Sequence, residues 1–557
     1  MISKRQLIAF MLCFFPSIAL GQMVLPCDFH PGAPNIDETE SCTGNFSLSV
    51  PLLNTDLSLV YHSAASPLDV KYAAERDIGK RTERGVTYEW DKARSLGEYY
   101  QFGVNWKLSV DASLFSLDTG QNTVIVVLAD GSTFRYFKDG SGNYQPEEIR
   151  RDRSFVQKSG STWIRQGADG SRAIFEFVDT SGVSHVTQLV DPNGKVVKIN
   201  RFPTSVAKIG GAISSVAGDS FNGVTVDGST LTDKLGKQTI LRISESTLVG
   251  ITLPISGAAK ERTSFGYIRY TSPPYDIWSQ KQGRNFRQEV SSPWKYRLSG
   301  YTNVLGQTTS VEYYPEGALK SVIDPLNYQT SYQYAADKVT IKSVRGTRTE
   351  NFVNKRFVGF QDSSGNRLTL ERDSMGRVTR STVNGTLVTT FEDFDGAFPS
   401  KITSPDKLVS QVVYARDHWM LPKDVTTRGP SGGVTTNYQY DSLHRLELLT
   451  VNGVSTAIEY LGNTRLPSVM KRGGIPIVRY NYDASQRLLS VKDLYGVNVV
   501  GSDTSNITYD ALNRPASVSN GDGSSQIFTY GELGNIEKTV TNFGSVMGFD
   551  FNKMEIK

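Results

Sequence analysis

Tyr440-Asp441-Ser442-Leu443-His444-Arg445-Leu446 is the stretch from which the rest of the chain is read. It returns as Tyr482-Asp483-Ala484-Ser485-Gln486-Arg487-Leu488 and as Tyr509-Asp510-Ala511-Leu512-Asn513-Arg514-Pro515. A looser copy is Tyr530-Gly531-Glu532-Leu533-Gly534-Asn535-Ile536. Self-similarity at a period of roughly 20–50 residues marks a repeat architecture. Each part of the phrase has a physical role. The aromatic closes a strand, the Asp opens a turn through its side-chain oxygen, and a Gly or Asn suits the left-handed position that follows. Arg and an apolar residue then start the next strand. The unit is a β-hairpin.

A second phrase, an aromatic followed by an apolar-Pro pair, alternates with the first. It runs from Phe394 to Phe398-Pro399, Tyr414 to Leu421-Pro422, and Tyr460 to Leu466-Pro467. The anchors Phe394, Tyr414, Tyr440, Tyr460, Tyr482, Tyr509 and Tyr530 are separated by 20, 26, 20, 22, 27 and 21 residues. Variation of that size is loop length, so the repeat is one hairpin plus one connection. Tyr301 to Gln307 and Arg372 to Val378 are divergent copies, and Ile323-Asp324-Pro325 is a strand leaving into a turn.

Upstream the text is also strand and turn. Asn45 to Leu52 and Leu57 to Ser63 alternate apolar with polar residues, the period of half-buried strands. Phe102 to Val110 ends in a strand, and Val124 to Leu128 is a buried one. Asp130-Gly131, Asp169-Gly170 and Asp191-Pro192-Asn193-Gly194 predict hairpin turns, since Asp and Gly both tolerate positive φ. Residues 201–300 are the least legible, with turns at Gly210-Gly211 and Thr232 to Gly236 and a seam or insertion near Pro273-Pro274 and Pro293. Tyr72 to Gly79 is the best helix candidate, and it is short.

The chain has 557 residues, with Gly at 50 and Tyr and Phe at 26 each, a composition suited to many short strands and tight turns. Its formal charge of +4 carries no basic block, so neither nucleic acid nor a membrane surface is an expected partner. Lys4 and Arg5, the apolar run Leu7 to Leu20 and the small Ala19 and Gly21 predict a secretory signal over 1–21. No later stretch is long or apolar enough for a membrane span. The mature chain is thus expected in the periplasm, at the cell surface or secreted. Cys13 leaves with the signal. Cys27 and Cys42 then predict one disulfide, worth about 3 kcal/mol to the segment it closes.

The Tyr-Asp-x-x-(Gly/Asn/His/Gln)-Arg-Leu phrase resembles the YD repeat of Rhs proteins, bacterial polymorphic toxins and animal teneurins. Gly44 to Leu52 followed by Leu57 to Ser63 resembles the strand pair that opens many Rhs shells. Phe102-Gly103-Val104-Asn105-Trp106 resembles the Gly-x-x-Trp strand after it. The resemblance implies a long hairpin ribbon wound into a hollow shell, or cocoon, around a C-terminal toxin or other cargo. Two departures are expected to matter. The family's closing core with its self-cleavage aspartates is absent, and no variable toxin domain follows. The shell is therefore expected to be incomplete, or completed by a downstream core or toxin polypeptide.

The resulting expectation is an all-β chain. A signal (1–21) and a stapled lead-in (22–43) precede an Rhs-type β-region (44–200), a β-rich seam or insertion (201–300) and a YD-repeat array (301–557). No catalytic, cofactor or metal site is predicted. His30, His62, His185, His418 and His444 are scattered, no Gly-x-Ser-x-Gly elbow occurs, and Asp441, Asp483 and Asp510 read as turn-formers. Arg445, Arg487 and Arg514 are expected over the repeated tyrosine rings as cation–π partners, each worth about 0.5–1 kcal/mol where exposed. The function expected is an exported structural shell that encapsulates or presents cargo in toxin delivery or intercellular competition. The alternative is a surface adhesin that uses Trp106, Trp163, Trp278 and Trp419 as glycan platforms. An envelope enzyme is a third reading, and it lacks a visible pair of acids.

Overall fold

A computed structural model describes residues 47–62 and most of 101–556. The longest stretches left out within the latter are 147–153, 204–211, 254–260 and 543–553. The predicted signal, Cys27, Cys42 and the helix candidate at 72–79 lie outside the described residues. Every regular element described is a strand, forty-five in chain order.

Strands β1 (Ser47–Pro51), β2 (Ser58–His62) and β3 (Trp106–Leu108) form a small antiparallel sheet. The alternation read from residues 45–63 is that hairpin, with Leu48 paired to Tyr61 and Val50 to Leu59. The main sheet begins at β4 (Ala112–Ser116) and runs to β40 (Asn498–Val500), almost always pairing each strand with the next. It meets itself once. Strand β11 (Ser184–Val190) pairs back onto β4, Ser184 opposite Leu114 and His185 opposite Ser113. That pairing closes the eight strands β4 to β11 into a ring, from which β12 (Val196–Arg201) leads out the long ribbon.

The ribbon passes through the poorly legible 201–300 region without a break. There β13 (Ile213–Gly218) pairs with β12, and β21 (Tyr296–Thr302) pairs with β18 (Glu261–Arg269). Between those last two, Tyr275–Lys281 and Arg284–Val290 form a separate two-stranded hairpin, β19 and β20. The final YD units, β41 (Thr508–Tyr509) to β45 (Met554–Ile556), make a five-stranded sheet of their own.

Packing changes along the ribbon. In the first part a single apolar core extends from Leu52 to Leu298, including Tyr61, Trp106, Phe175 and Leu241. The β1–β3 sheet is fixed over it by buried polar contacts. Trp106 Nε1–H donates to Tyr267 Oη (2.8 Å), and Leu298 N–H donates to Tyr61 Oη (3.0 Å). After residue 301 the packing thins. Val339, Phe352 and Phe357 form a small cluster. Along Arg367–Arg372, Val378–Val383 and Pro467–Arg472 no residue is fully buried on either face. A β-sheet with both faces half-exposed is a one-layer wall.

The wall laps over itself. Arg465 N–H donates to Asn193 Oδ1 (2.8 Å), and Asn222 Nδ2–H donates to the Leu512 carbonyl (2.8 Å). These partners lie 272 and 290 residues apart in the chain. Arg465 Nη2–H also reaches the Ala168 carbonyl at 3.3 Å. One winding from Ala168 to Arg465 contains the strands β10 (Arg172–Val178) to β36 (Val454–Tyr460) less the β19–β20 hairpin, twenty-five in all. At about 4.8 Å per strand, the perimeter is about 120 Å and the width about 40 Å.

Candidate functional site

The turn has one form in the 441–445, 483–487 and 510–514 copies of the phrase. In the 441–445 copy, Asp441 N–H donates to the Arg445 carbonyl (2.9 Å), and His444 N–H donates to the Asp441 carbonyl (2.9 Å). His444 takes a φ of +57°. This is a type I turn followed by a left-handed residue that forms a bulge. Asp441 Oδ1 accepts the N–H groups of Leu443 and Arg445, both at 2.9 Å. The carboxylates are therefore turn-formers, as the sequence predicts. Gln486 and Asn513 hold the left-handed position in the next two copies, at φ +61° and +62°.

The turn also occurs where the sequence is less explicit. Asp233 N–H donates to Lys237 O, and Gly236 N–H donates to Asp233 O, inside the poorly legible region. The Asp169-Gly170 hairpin is one residue wider than a two-residue Asp-Gly turn. Its ends are Gly167 and Ser171, and only Gly170 of the Asp-Gly pair has positive φ, at +85°.

Each repeat tyrosine ties two units together. Tyr482 is paired with Leu488 of its own hairpin, just past a bulge. Its hydroxyl donates to the Pro467 carbonyl of the preceding unit at 2.9 Å. Tyr440 does the same to Pro422 (2.7 Å), Tyr460 to Leu446 (2.8 Å), Tyr509 to Leu488 (2.8 Å) and Tyr530 to Pro515 (2.8 Å). The two alternating phrases are thus one structural position. The residue after the turn, Pro or Leu, contributes only its carbonyl.

The arginines carry the second link. Arg445, Arg487 and Arg514 lie over the rings of Tyr460, Tyr509 and Tyr530, with guanidinium carbons 4.5, 4.4 and 4.0 Å from the centroids. The expected cation–π pairs are present, and each ring belongs to the following unit. Arg487 Nε–H donates to Asp483 Oδ2 (2.6 Å), and its Nη1–H donates to Asn513 Oδ1 (2.9 Å) in the next turn. Arg445 Nη1–H reaches the Gly462 carbonyl in the same way (2.9 Å). This lateral stitch is absent from the sequence reading. Gly462 and Asn513, both at positive φ in the turn that follows each arginine, are the signal that could have revealed it.

Partial burial pushes the Asp441, Asp483 and Asp510 carboxyls up. The backbone N–H groups and the paired guanidinium outweigh it, so each lies below the ordinary carboxylate range. The Tyr460, Tyr482 and Tyr509 hydroxyls are raised, chiefly by burial.

No protein-family model matches the chain, and no curated protein sequence does either. Solved structures are similar in outline. The crystal structure of TcdB2-TccC3-Cdc42 matches 78 % of this chain at 10 % identity and a TM-score of 0.43. That of TcdB2-TccC3-TEV matches 92 % at 11 % identity and a TM-score of 0.41. That of TcdB2-TccC3 without its hypervariable C-terminal region matches 94 % at 11 % identity and a TM-score of 0.42. The present chain spans 27 %, 31 % and 31 % of those chains.

Two features of the first winding bear on chemistry. Ser113, His185 and Asp179 come together at the ring closure. Ser113 Oγ lies 3.3 Å from His185 Nδ1, and His185 Nε2 lies 2.9 Å from Asp179 Oδ2. The residue types are those of a nucleophilic triad, and sequence reasoning missed them because they lie 72 and 6 residues apart. Ser113 is only 1 % exposed, so no substrate reaches its hydroxyl. Asp179 Oδ1 is occupied by Val183 N–H at 3.1 Å. The cluster is a polar clasp where β11 meets β4. Next to it Arg201 Nη2–H donates to Asp111 Oδ1 at 2.6 Å.

The tryptophan platforms need correction. Trp106 is 2 % exposed and Trp163 is 5 % exposed, because both rings fill the core of the first winding. Neither offers a face to a sugar. The Trp278 side chain and Trp419 lie outside the described residues.

Proposed function

We propose that the chain is an exported, non-enzymatic YD-repeat shell protein that encloses or presents a polypeptide cargo in toxin delivery or intercellular competition. The observation that carries this reading is the lap at Arg465 and Asn193. A wall that is one layer thick after residue 301 and returns to its own start after one winding supports an enclosed interior. The resemblance of the YD phrase to Rhs proteins supports the same reading and suggests the partner, a polypeptide that carries the closing core or the toxin. The predicted signal supports export. Burial of Trp106 and Trp163 weighs against the glycan-binding alternative.

Protease protection tests the proposal. The chain is co-expressed with the polypeptide encoded immediately downstream, and the purified complex is treated with proteinase K. Survival of the downstream polypeptide, with digestion after the shell is denatured, is the expected result. Digestion at the rate of the free polypeptide removes the enclosing role.

A further inference from the structure

The lap joins the two windings at separate points and leaves a gap between them. Arg465 meets Asn193, and Leu512 meets Asn222. Between those contacts, Ala484, Ser485 and Gln486 of the second winding and the rim of the first line a cavity of about 690 Å³. Sites for small ligands are clefts of about 300–1,000 Å³, apolar with a few convergent polar groups.

The floor of the cavity is apolar. Ala173 is paired with Leu189, and Leu189 with Val197, so the three share one face of the sheet. With Phe221 they pack against the core of the first winding. The rim is cationic. Three cations line it, Arg165, Arg172 and Lys195, against one acid, Asp191. Asp191 Oδ1 is occupied by the N–H groups of Asn193 and Lys195, both at 2.8 Å. Arg165 is engaged as well, its Nε–H donating to Tyr136 Oη at 2.7 Å. Arg172 and Lys195 flank β11, since Arg172 is paired with Val190, and Val190 with Val196. Their side chains make no hydrogen bond or ion pair among the described residues. In the YD turns the cation four residues after the Asp folds back onto it, as Arg487 does onto Asp483. Lys195 holds that position after Asp191 and stays unpaired. Across the gap, Gln486 Oε1 is buried and accepts no hydrogen bond.

We infer that this seam cavity binds an N-acyl amino acid with an apolar side chain, free or as the last residue of a polypeptide. The two unpaired cations, Arg172 and Lys195, take the carboxylate. The apolar side chain lies on Leu189, Val197 and Phe221. The amide N–H supplies the donor that Gln486 Oε1 lacks, and an unmet buried acceptor favours a ligand that brings one. A ligand held this way touches both windings and fastens the lap. The inference rests on the lap and is independent of what the wall encloses.

The test is calorimetric titration of the full mature chain with N-acetyl-leucine, with N-acetyl-leucinamide and acetate as controls. N-acetyl-leucine should bind with a Kd of about 1 mM or tighter. Loss of the carboxylate in the amide, or of the apolar body in acetate, should weaken binding about tenfold or more. Arg172→Gln and Lys195→Gln should each do the same, and circular dichroism checks that both variants fold. Gln486 has a φ of +61°, so Gln486→Gly removes the amide without backbone strain and should also weaken binding. Bound ligand should slow hydrogen exchange at 191–195 and 483–487, which binding elsewhere on the wall would not do. A peptide ending in leucine that binds more tightly than N-acetyl-leucine assigns the site to a polypeptide terminus, and equal affinity assigns it to the free molecule. Both results support the site. No binding at about 10 mM, equal binding of the amide, or binding that neither cation variant alters overturns the inference.

Discussion

The backbone N–H of Arg465 donates to the side-chain oxygen of Asn193 at 2.8 Å, across 272 residues of chain. The Arg465 guanidinium continues onto the Ala168 carbonyl and onto Leu443 in its own winding. Within the ribbon, neighbouring strands share full antiparallel ladders. At the lap the described hydrogen bonds involve a few side chains, and Arg465 provides most of them. Arg465→Ala keeps the backbone bond to Asn193 and removes the guanidinium bonds, so it should leave the hairpins folded and loosen the lap. The measurement is hydrogen exchange, with faster exchange at 191–195 and 461–466 and unchanged exchange at 111–128. Unaltered exchange at the lap would show that it is held by something else.

Tyr482→Phe removes one rung of the hydroxyl ladder, the bond to the Pro467 carbonyl. A net hydrogen bond of this kind is worth about 1 kcal/mol. Chemical denaturation should show a loss of that size. A similar loss is expected for Tyr440→Phe, because its bond to Pro422 has the same geometry.

Asp483 holds the Arg487 N–H with one oxygen and the Arg487 guanidinium with the other. Asp483→Asn should cost about 1.5–3 kcal/mol, the range for hydrogen bonds to a charged group. The acid dependence follows from the same contacts. The folded carboxyls of Asp441, Asp483 and Asp510 hold protons less tightly than in the unfolded chain. Their stabilisation is complete above the unfolded value of about 4 and is lost as pH falls through the lower folded values. The wild-type chain should lose stability below about pH 4, and Asp483→Asn should flatten that fall.

Lys407 occupies the left-handed position of the 404–408 turn, at φ +63°. A side chain there carries steric strain that glycine lacks. Lys407→Gly should therefore raise stability by about 0.5–1 kcal/mol, read as a higher melting temperature. Lys407→Val should lower it.

What could be read from the sequence divides along physical lines. Asp441 and Arg445 were legible because turn geometry restricts side-chain type, and the same restriction made the hairpin period visible. The equivalence of Pro467 and Leu488 was not legible, because the tyrosine hydroxyl uses their carbonyl and any residue supplies one. Residues 201–300 read poorly because strands such as Gln238–Ser244 bury Thr239 and Leu241 while Ile240 faces out. That mixture blurs the apolar alternation. Arg465 is no part of the Tyr-Asp phrase, and its partner belongs to a distant winding. The clasp of Ser113 and His185 depends on a strand pairing that no local pattern encodes.

The most direct test of the central claim is a cryo-electron microscopy map of the isolated mature chain. The expected map shows a ribbon about one strand layer thick around residues 301–500, enclosing low density and meeting its own start where Arg465 faces Asn193. A filled globule, with residues 301–500 packed around a solid core and Arg465 remote from Asn193, would contradict it.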